Sequence, residues 1–221
     1  MIYCPLRVFF KQTITLLFLL FSSIPVFSET VVIAALGDSL TQGLGLSSEN
    51  GFVLQLETWL QGNGEDVRLL NAGVSGDTTA GGLSRVAWTL TPEVDALIVN
   101  LGGNDLLRGI DPATSRANLD GILQIASEHA VPVLLVGFIA PGNYGPEYKV
   151  AFDAIYHDLS HKYGTLFYKN FFTSLIEDDK VIIPNSKFMQ GDGIHPNASG
   201  VARVVNNIGP IVRKLITQSR E

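Results

Sequence analysis

A serine becomes a useful nucleophile only when a base can take its hydroxyl proton, and acyl transfer also needs an orienting carboxylate and donors for the developing oxyanion. Four short clusters carry those residue types here: Gly37-Asp38-Ser39-Leu40, Asn71-Ala72-Gly73, Gly102-Gly103-Asn104-Asp105 and Gly191-Asp192-Gly193-Ile194-His195-Pro196. In the last cluster Asp192 stands three residues before His195, with flexible Gly193 between. It can curl back to accept the Nδ1 proton, leaving His195 as base. Ser39, in a tight strand-to-helix turn, would present its hydroxyl while helix-start N–H groups favour negative charge. The N–H of Ser39, the N–H of Gly73 and the side-chain amide of Asn104 could converge on one oxygen. Losing one such donor typically costs roughly 100- to 1,000-fold in turnover.

Each residue alone has a plainer use: Asp38 and Ser39 as a helix cap, Gly73 as a turn residue, Asn104-Asp105 as another cap. What favours chemistry is where they fall. Apolar runs at residues 31–36, 68–71 leading into Ala72-Gly73, 96–101 and 131–138, with a weaker one at 165–168, read as strands. Their near-continuous hydrophobicity means burial on both faces, hence a parallel sheet. Between them the period becomes helical: Phe52, Leu56, Trp59 and Leu60 share a face, as do Leu119, Ile122, Leu123 and Ala126. The alternation predicts a doubly wound α/β layer sandwich in which three strands end in the polar clusters along one sheet edge. With strand order 2-1-3-4-5, the first and third strands flank the ligand crevice. A last helix is expected from about Ala198, kinked or split at Gly209-Pro210.

With these residues in place, the chain resembles the SGNH, or GDSL-type, hydrolases: Ser39 in G-D-S-L, Gly73 in N-A-G, Asn104 in G-G-N-D and the D-G-I-H-P spacing all occur in that family's order. The segments Gly76-Asp77-Thr78, residues 101–105 with Leu107-Arg108-Gly109, Pro141-Gly142-Asn143-Tyr144-Gly145 and residues 192–197 are similar to the bacterial periplasmic thioesterase, lysophospholipase and arylesterase group. The resemblance implies a flavodoxin-like five-stranded parallel sheet in a three-layer α/β/α sandwich, a Ser39, Asp192 and His195 triad, an oxyanion hole of Ser39, Gly73 and Asn104, and no cofactor. Pro141-Gly142 departs from the Pro-Ala expected before Asn143-Tyr144.

Composition narrows the partners. Across 221 residues, 15 Lys+Arg against 21 Asp+Glu and no basic cluster leave nothing to capture nucleic acid. The single cysteine, Cys4, permits neither a disulfide framework nor a thiolate metal site. No metal is expected. Arg7 and Lys11 followed by an apolar run at residues 14–21, then Ser22, Ser23 and Pro25, form the layout of a secretory signal peptide, too short for the roughly 20 residues of a spanning helix. Residues 1–28 are read as that signal, cut near Ser28, and residues 29–221 as one domain, periplasmic or secreted, monomeric and without stable membrane insertion.

The expected function is hydrolysis of small hydrophobic acyl esters or thioesters, favouring short to medium chains. Phe138, Ile139, Asn143 and Tyr144 would wall an acyl groove together with Thr78 and Leu83. The alternative is a polysaccharide deacetylase or a catalytically silent binding module on the same scaffold. Trp59 and Trp88, the residues a sugar platform would use, read as buried on helix faces. His157 and His161 read as surface residues despite their metal-pair spacing, and His129 as a partner for terminal helix carbonyls.

Overall fold

The structure is a computed structural model that describes residues 1–3, 29–177 and 186–221. The segment expected to be a signal peptide, residues 1–28, lies almost wholly outside the described residues. Five strands, β1 (Val31–Gly37), β2 (Val67–Gly73), β3 (Ala96–Asn100), β4 (Val133–Val136) and β5 (Leu166–Tyr168), form one parallel sheet in the order β2-β1-β3-β4-β5. Every residue of β1, β3 and β4 is buried, as continuous apolar strands between two helix layers must be. The expected strand at 131–138 is shorter, Val133–Val136, although the Pro132 carbonyl still accepts from the Leu97 N–H of β3 at 3.0 Å and the Gly137 N–H donates to the Tyr168 carbonyl of β5 at 2.8 Å.

Among the described residues, seven α-helices surround the sheet: α1 (Ser39–Gln42), α2 (Phe52–Gly62), α3 (Thr79–Thr89), α4 (Gly103–Arg108), α5 (Pro112–Glu128), α6 (Pro146–Tyr163) and α7 (Ala198–Gln218). α2 packs on α7, while α3, α5 and α6 pack side by side. The three-layer sandwich expected from the sequence is the observed fold. Phe52, Leu56 and Leu60 of α2 are fully buried, as are Leu119, Ile122 and Ala126 of α5. Asp111 caps α5 through the Ala113 N–H, and Asn197 caps α7 through the Gly200 N–H.

α7 is not split: it is one helix with Pro210 inside it. Its stripe of Val201, Val204, Val205, Ile208, Val212, Leu215 and Ile216 is buried on both sides of the proline. Each such side chain contributes about 1.5–3 kcal/mol on burial, against about 3 kcal/mol for an internal proline, so the stripe outweighs the break.

Register sets the functional edge. Gly37 at the end of β1 stands opposite Gly73 of β2 and Asn100 of β3, so the segments that follow all three strands emerge side by side.

Candidate active site

β1 stops at Gly37, and the Asp38 carboxylate accepts from the Leu40 N–H at 3.0 Å, which turns the chain sharply into α1. Ser39 therefore opens a helix at the sheet edge. Across the crevice, Asp192 folds back as its spacing predicts. One carboxylate oxygen accepts from the backbone N–H groups of Ile194 (2.9 Å) and His195 (3.0 Å), and the other lies 2.6 Å from His195 Nδ1. The loop is held at its base where Gln190 N donates to the His195 carbonyl at 2.7 Å and Met189 bridges Pro196. His195 Nε2 then lies 2.8 Å from Ser39 Oγ. Residues 156 positions apart thus form an unbroken line from carboxylate to imidazole to hydroxyl. This arrangement can take the hydroxyl proton and hold the resulting imidazolium. The hydrogen bond from the His195 ring, with the two backbone N–H groups, holds the Asp192 carboxyl down at about 2.

Asn104 sits in the first turn of α4, and its Nδ2 donates to Asp38 at 3.1 Å. The turn is anchored by its neighbour Asp105. That buried carboxylate accepts from Thr79 N (2.9 Å), Thr79 Oγ1 (2.6 Å) and Ser115 Oγ (2.9 Å), tying α4 to α3 and α5. Ser39, Gly103, Asn104 and His195 all line one cavity of about 540 Å³. Its remaining wall is largely apolar, with Leu44, Leu106, Leu107, Phe138, Phe172 and Met189 prominent.

Burial raises the Asp38 carboxyl to about 6, against the lowering influence of the Leu40 N–H, the Asn104 amide and His195. A carboxyl raised in the folded state supports folding below its unfolded value of 3.8, and that support is lost as the pH climbs through about 6. Asp38→Asn is therefore expected to stabilise the protein at pH 8 by on the order of 3 kcal/mol, with the gain vanishing near pH 4. It should also lower turnover about tenfold, because an ionised Asp38 accepts only and so fixes which end of the Asn104 amide faces it, whereas an asparagine does not. Urea melts at the two pH values, with kcat at pH 8, check both parts.

One expected donor is misplaced. Gly73 does not line the cavity, and its N–H donates at 3.0 Å to Asn71 Oδ1, which folds back over it. The wall instead receives Gly76, three residues further on, at φ 84°, a backbone conformation that glycine adopts at no steric cost. Its carbonyl is held by Arg108 Nη2 at 2.8 Å. The sequence signal for Gly76 was its place in Gly76-Asp77-Thr78, but spacing cannot say which of two nearby glycines turns inward.

The groove residues divide similarly. Phe138, Ile139, Asn143 and Tyr144 line the cavity, but Thr78 and Leu83 do not. Thr78 precedes α3 as its cap residue, and Leu83 packs against Gly121 of α5. The loop after Phe138 is clasped by α6: Asp153 accepts from Ala140 N at 2.8 Å, and Lys149 donates to the Ala140 carbonyl at 2.6 Å. Gly142 in that loop has φ 89°, where the alanine of the expected Pro-Ala pair would be strained. Leu44, Phe172, Met189 and Ile194 also line the cavity. They come from loops and short turns without apolar periodicity, so sequence reading had no signal for them.

Outside the cavity, His129 Nδ1 lies 2.8 Å from the Ile125 carbonyl at the end of α5, as expected. His157 and His161 are exposed, and among the described residues no group of three or more His, Cys, Asp or Glu side chains could hold a metal ion. Trp59 is half-buried, with its indole N–H on Asn206. Trp88 is not buried but 85% exposed, because it falls on the outer face of the last turn of α3. α3 returns from the crevice edge to the opposite edge of the sheet, so this ring lies away from the cavity.

The sequence profile of the GDSL-like lipase/acylhydrolase family matches residues 35–203. Among curated relatives, the esterase TesA of Pseudomonas aeruginosa is 38% identical over 181 residues, 81% of this chain and 87% of that protein. The Escherichia coli protein named "Thioesterase 1/protease 1/lysophospholipase L1" is 33% identical over 171 residues, 77% of this chain and 76% of that protein. Among solved structures, AlinE4, described as an SGNH-hydrolase family esterase, superposes with a TM-score of 0.69 at 41% identity, covering 85% of this chain and 97% of that one. On the profile match and on these relatives, the chain belongs to the GDSL-like lipase/acylhydrolase family and is a hydrolase of it.

Proposed function

We propose that this protein is an exported serine esterase or thioesterase that cleaves small hydrophobic acyl esters through an acyl-enzyme on Ser39. The observation that carries the reading is the continuous Asp192, His195 and Ser39 line opening into a largely apolar cavity. His195 Nε2 takes the Ser39 proton as Oγ adds to the ester or thioester carbonyl. The tetrahedral oxyanion receives the N–H groups of Ser39 and Gly76 and the Asn104 amide. The imidazolium then protonates the leaving alcohol or thiol, leaving Ser39 acylated. Water attacks the acyl-enzyme with His195 again as base, and the acid leaves.

The acyl chain lies against Phe138, Phe172 and Met189, with Ile139, Asn143 and Tyr144 forming the wall beside them. Aryl esters, acyl thioesters and lysophospholipids share the same tetrahedral intermediate, so the walls rather than the triad choose among them. Export rests on the signal-like residues 1–28, and the mature chain, 29–221, acts as a monomeric single domain without a cofactor. Among the described residues no helix is long and apolar enough to cross a membrane.

A p-nitrophenyl ester series from acetyl to palmitoyl tests the reading. Hydrolysis is expected, strongest for short to medium chains. Assays against acyl-CoA, aryl ester and lysophospholipid side by side then identify the leaving group. A purified, folded protein inert toward all of these would leave a silent binding module as the better account.

A further inference from the structure

The β1 and β2 ladder ends just where the chemistry begins. Its last contact is the Val74 N–H on the Gly37 carbonyl, at 3.0 Å. Beyond it the two chains part: Ser39 is two residues past Gly37, and Gly76 four past Ala72. Strand pairing ends there, and across the gap Gln42 Oε1 of α1 accepts from the Ser75 N–H at 3.0 Å, while two backbone donors for one oxyanion must keep a fixed separation.

Arg85 of α3 spans this point from beneath. Its Nη2 donates to the Gly37 carbonyl at 2.8 Å, its Nη1 to the Ala72 carbonyl at 2.6 Å and its Nε to Asp77 at 2.7 Å. The side chain is 22% exposed, so these bonds are only partly open to water. The Gly37 carbonyl thus uses one lone pair on Val74 and the other on Arg85. Three fixed points result: one before Ser39, one before the 74–77 turn, and one immediately after Gly76. A planar guanidinium presents donors in a rigid fork and can hold three acceptors in one plane, whereas an ammonium is a point charge on a flexible stem. Arg108 reaches the same turn from α4, but it binds only the Gly76 carbonyl and does not touch β1.

We propose that Arg85 is a positioning residue whose guanidinium sets the separation between the Ser39 turn and the Gly76 turn. This inference rests on the reading that the N–H groups of Ser39 and Gly76 share the oxyanion. Arg85 acts through main-chain carbonyls and does not touch substrate. Its contribution belongs to the transition state, because the ground-state acyl chain is held by the apolar wall.

Arg85→Lys retains a cation beside Asp77 but cannot bridge both carbonyls, and Arg85→Met retains the stem alone. Steady-state kinetics on the full protein, well below each variant's melting temperature, should show kcat lowered about tenfold for lysine and about 100-fold for methionine. KM should stay within about twofold, since uniform substrate binding is untouched. The rate of Ser39 labelling by a fluorophosphonate should fall in parallel with kcat, because the phosphoryl oxygen uses the same donors. A purely structural Arg85 would lower the melting temperature and leave kcat per folded molecule unchanged, and that result overturns the inference, as does a loss confined to KM. If Arg85→Met does not fold, Arg85→Lys decides alone. Ser39→Ala in the same assay separates the two levels. An inactive Ser39→Ala beside Arg85 variants of wild-type kcat removes only the positioning role, whereas a fully active Ser39→Ala removes the catalytic reading beneath it.

Discussion

Ser39→Ala is expected to abolish turnover of every ester in the p-nitrophenyl series, by about 10,000-fold or more, with the fold and melting temperature little changed. The reasoning is local. Ser39 is 8% exposed, and its hydroxyl lies within reach of His195 Nε2, at 2.8 Å. Alanine fits the same helix start, because the cap that turns the chain is the Asp38 carboxylate, not the serine. Substrate should still enter, since the apolar wall remains, but no acyl-enzyme can form. A fluorophosphonate should label wild type stoichiometrically and Ser39→Ala not at all, read by intact-protein mass. Labelling of the alanine variant at another residue, together with retained hydrolysis, would place the nucleophile elsewhere.

Asp192→Asn should lower kcat almost as much, by about 10,000-fold, while preserving the loop. The asparagine carbonyl can still accept from the backbone N–H groups of Ile194 and His195, which Asp192 accepts at 2.9 and 3.0 Å. Its NH₂ would then face His195 Nδ1, where the carboxylate now lies at 2.6 Å. A donor at that place forces Nδ1 to become an acceptor and puts the ring proton on Nε2, facing Ser39, so the imidazole can no longer take the serine proton. The carboxyl itself is depressed from 3.8 to about 2, so its stabilising ionised form is complete above 3.8 and is lost only as the pH falls through about 2. Loss of wild-type activity between pH 4 and 6 is therefore not assigned to Asp192. A pH profile of kcat for both proteins, with circular dichroism to confirm folding, tests the argument. An Asp192→Asn enzyme within tenfold of wild type would show that His195 does not depend on its carboxylate partner.

The serine, histidine and aspartate that meet at the cavity were legible because each carries its geometry in local sequence. Asp38-Ser39 follows directly on a buried strand, and the three-residue spacing of Asp192 and His195 allows the carboxylate to meet both the ring and its own backbone. The parallel sheet was equally legible, since β1, β3 and β4 are continuous apolar runs of a kind that half-buried strands do not show. The apolar stripe of α7 was legible on both sides of Pro210, but that the helix is not split there was less so. A local rule about proline was overridden by packing partners that lie more than a hundred residues away, such as α2.

What tertiary structure alone decided is which atoms face the cavity. Gly73 and Gly76 have the same chemistry, and only the folding back of Asn71 onto the Gly73 N–H, with the turn that brings Gly76 to the wall, tells them apart. Thr78 and Leu83 share a segment with that turn yet do not line the cavity: Thr78 stands at the start of α3 and Leu83 packs against α5. Trp88 has the apolar character of a core residue, but the rotation of α3 leaves it in water. Residue type and short-range spacing determine what a side chain can do and the period of the element that carries it. The direction it faces depends on neighbours distant in the chain, through packing and hydrogen bonds that a linear pattern does not contain.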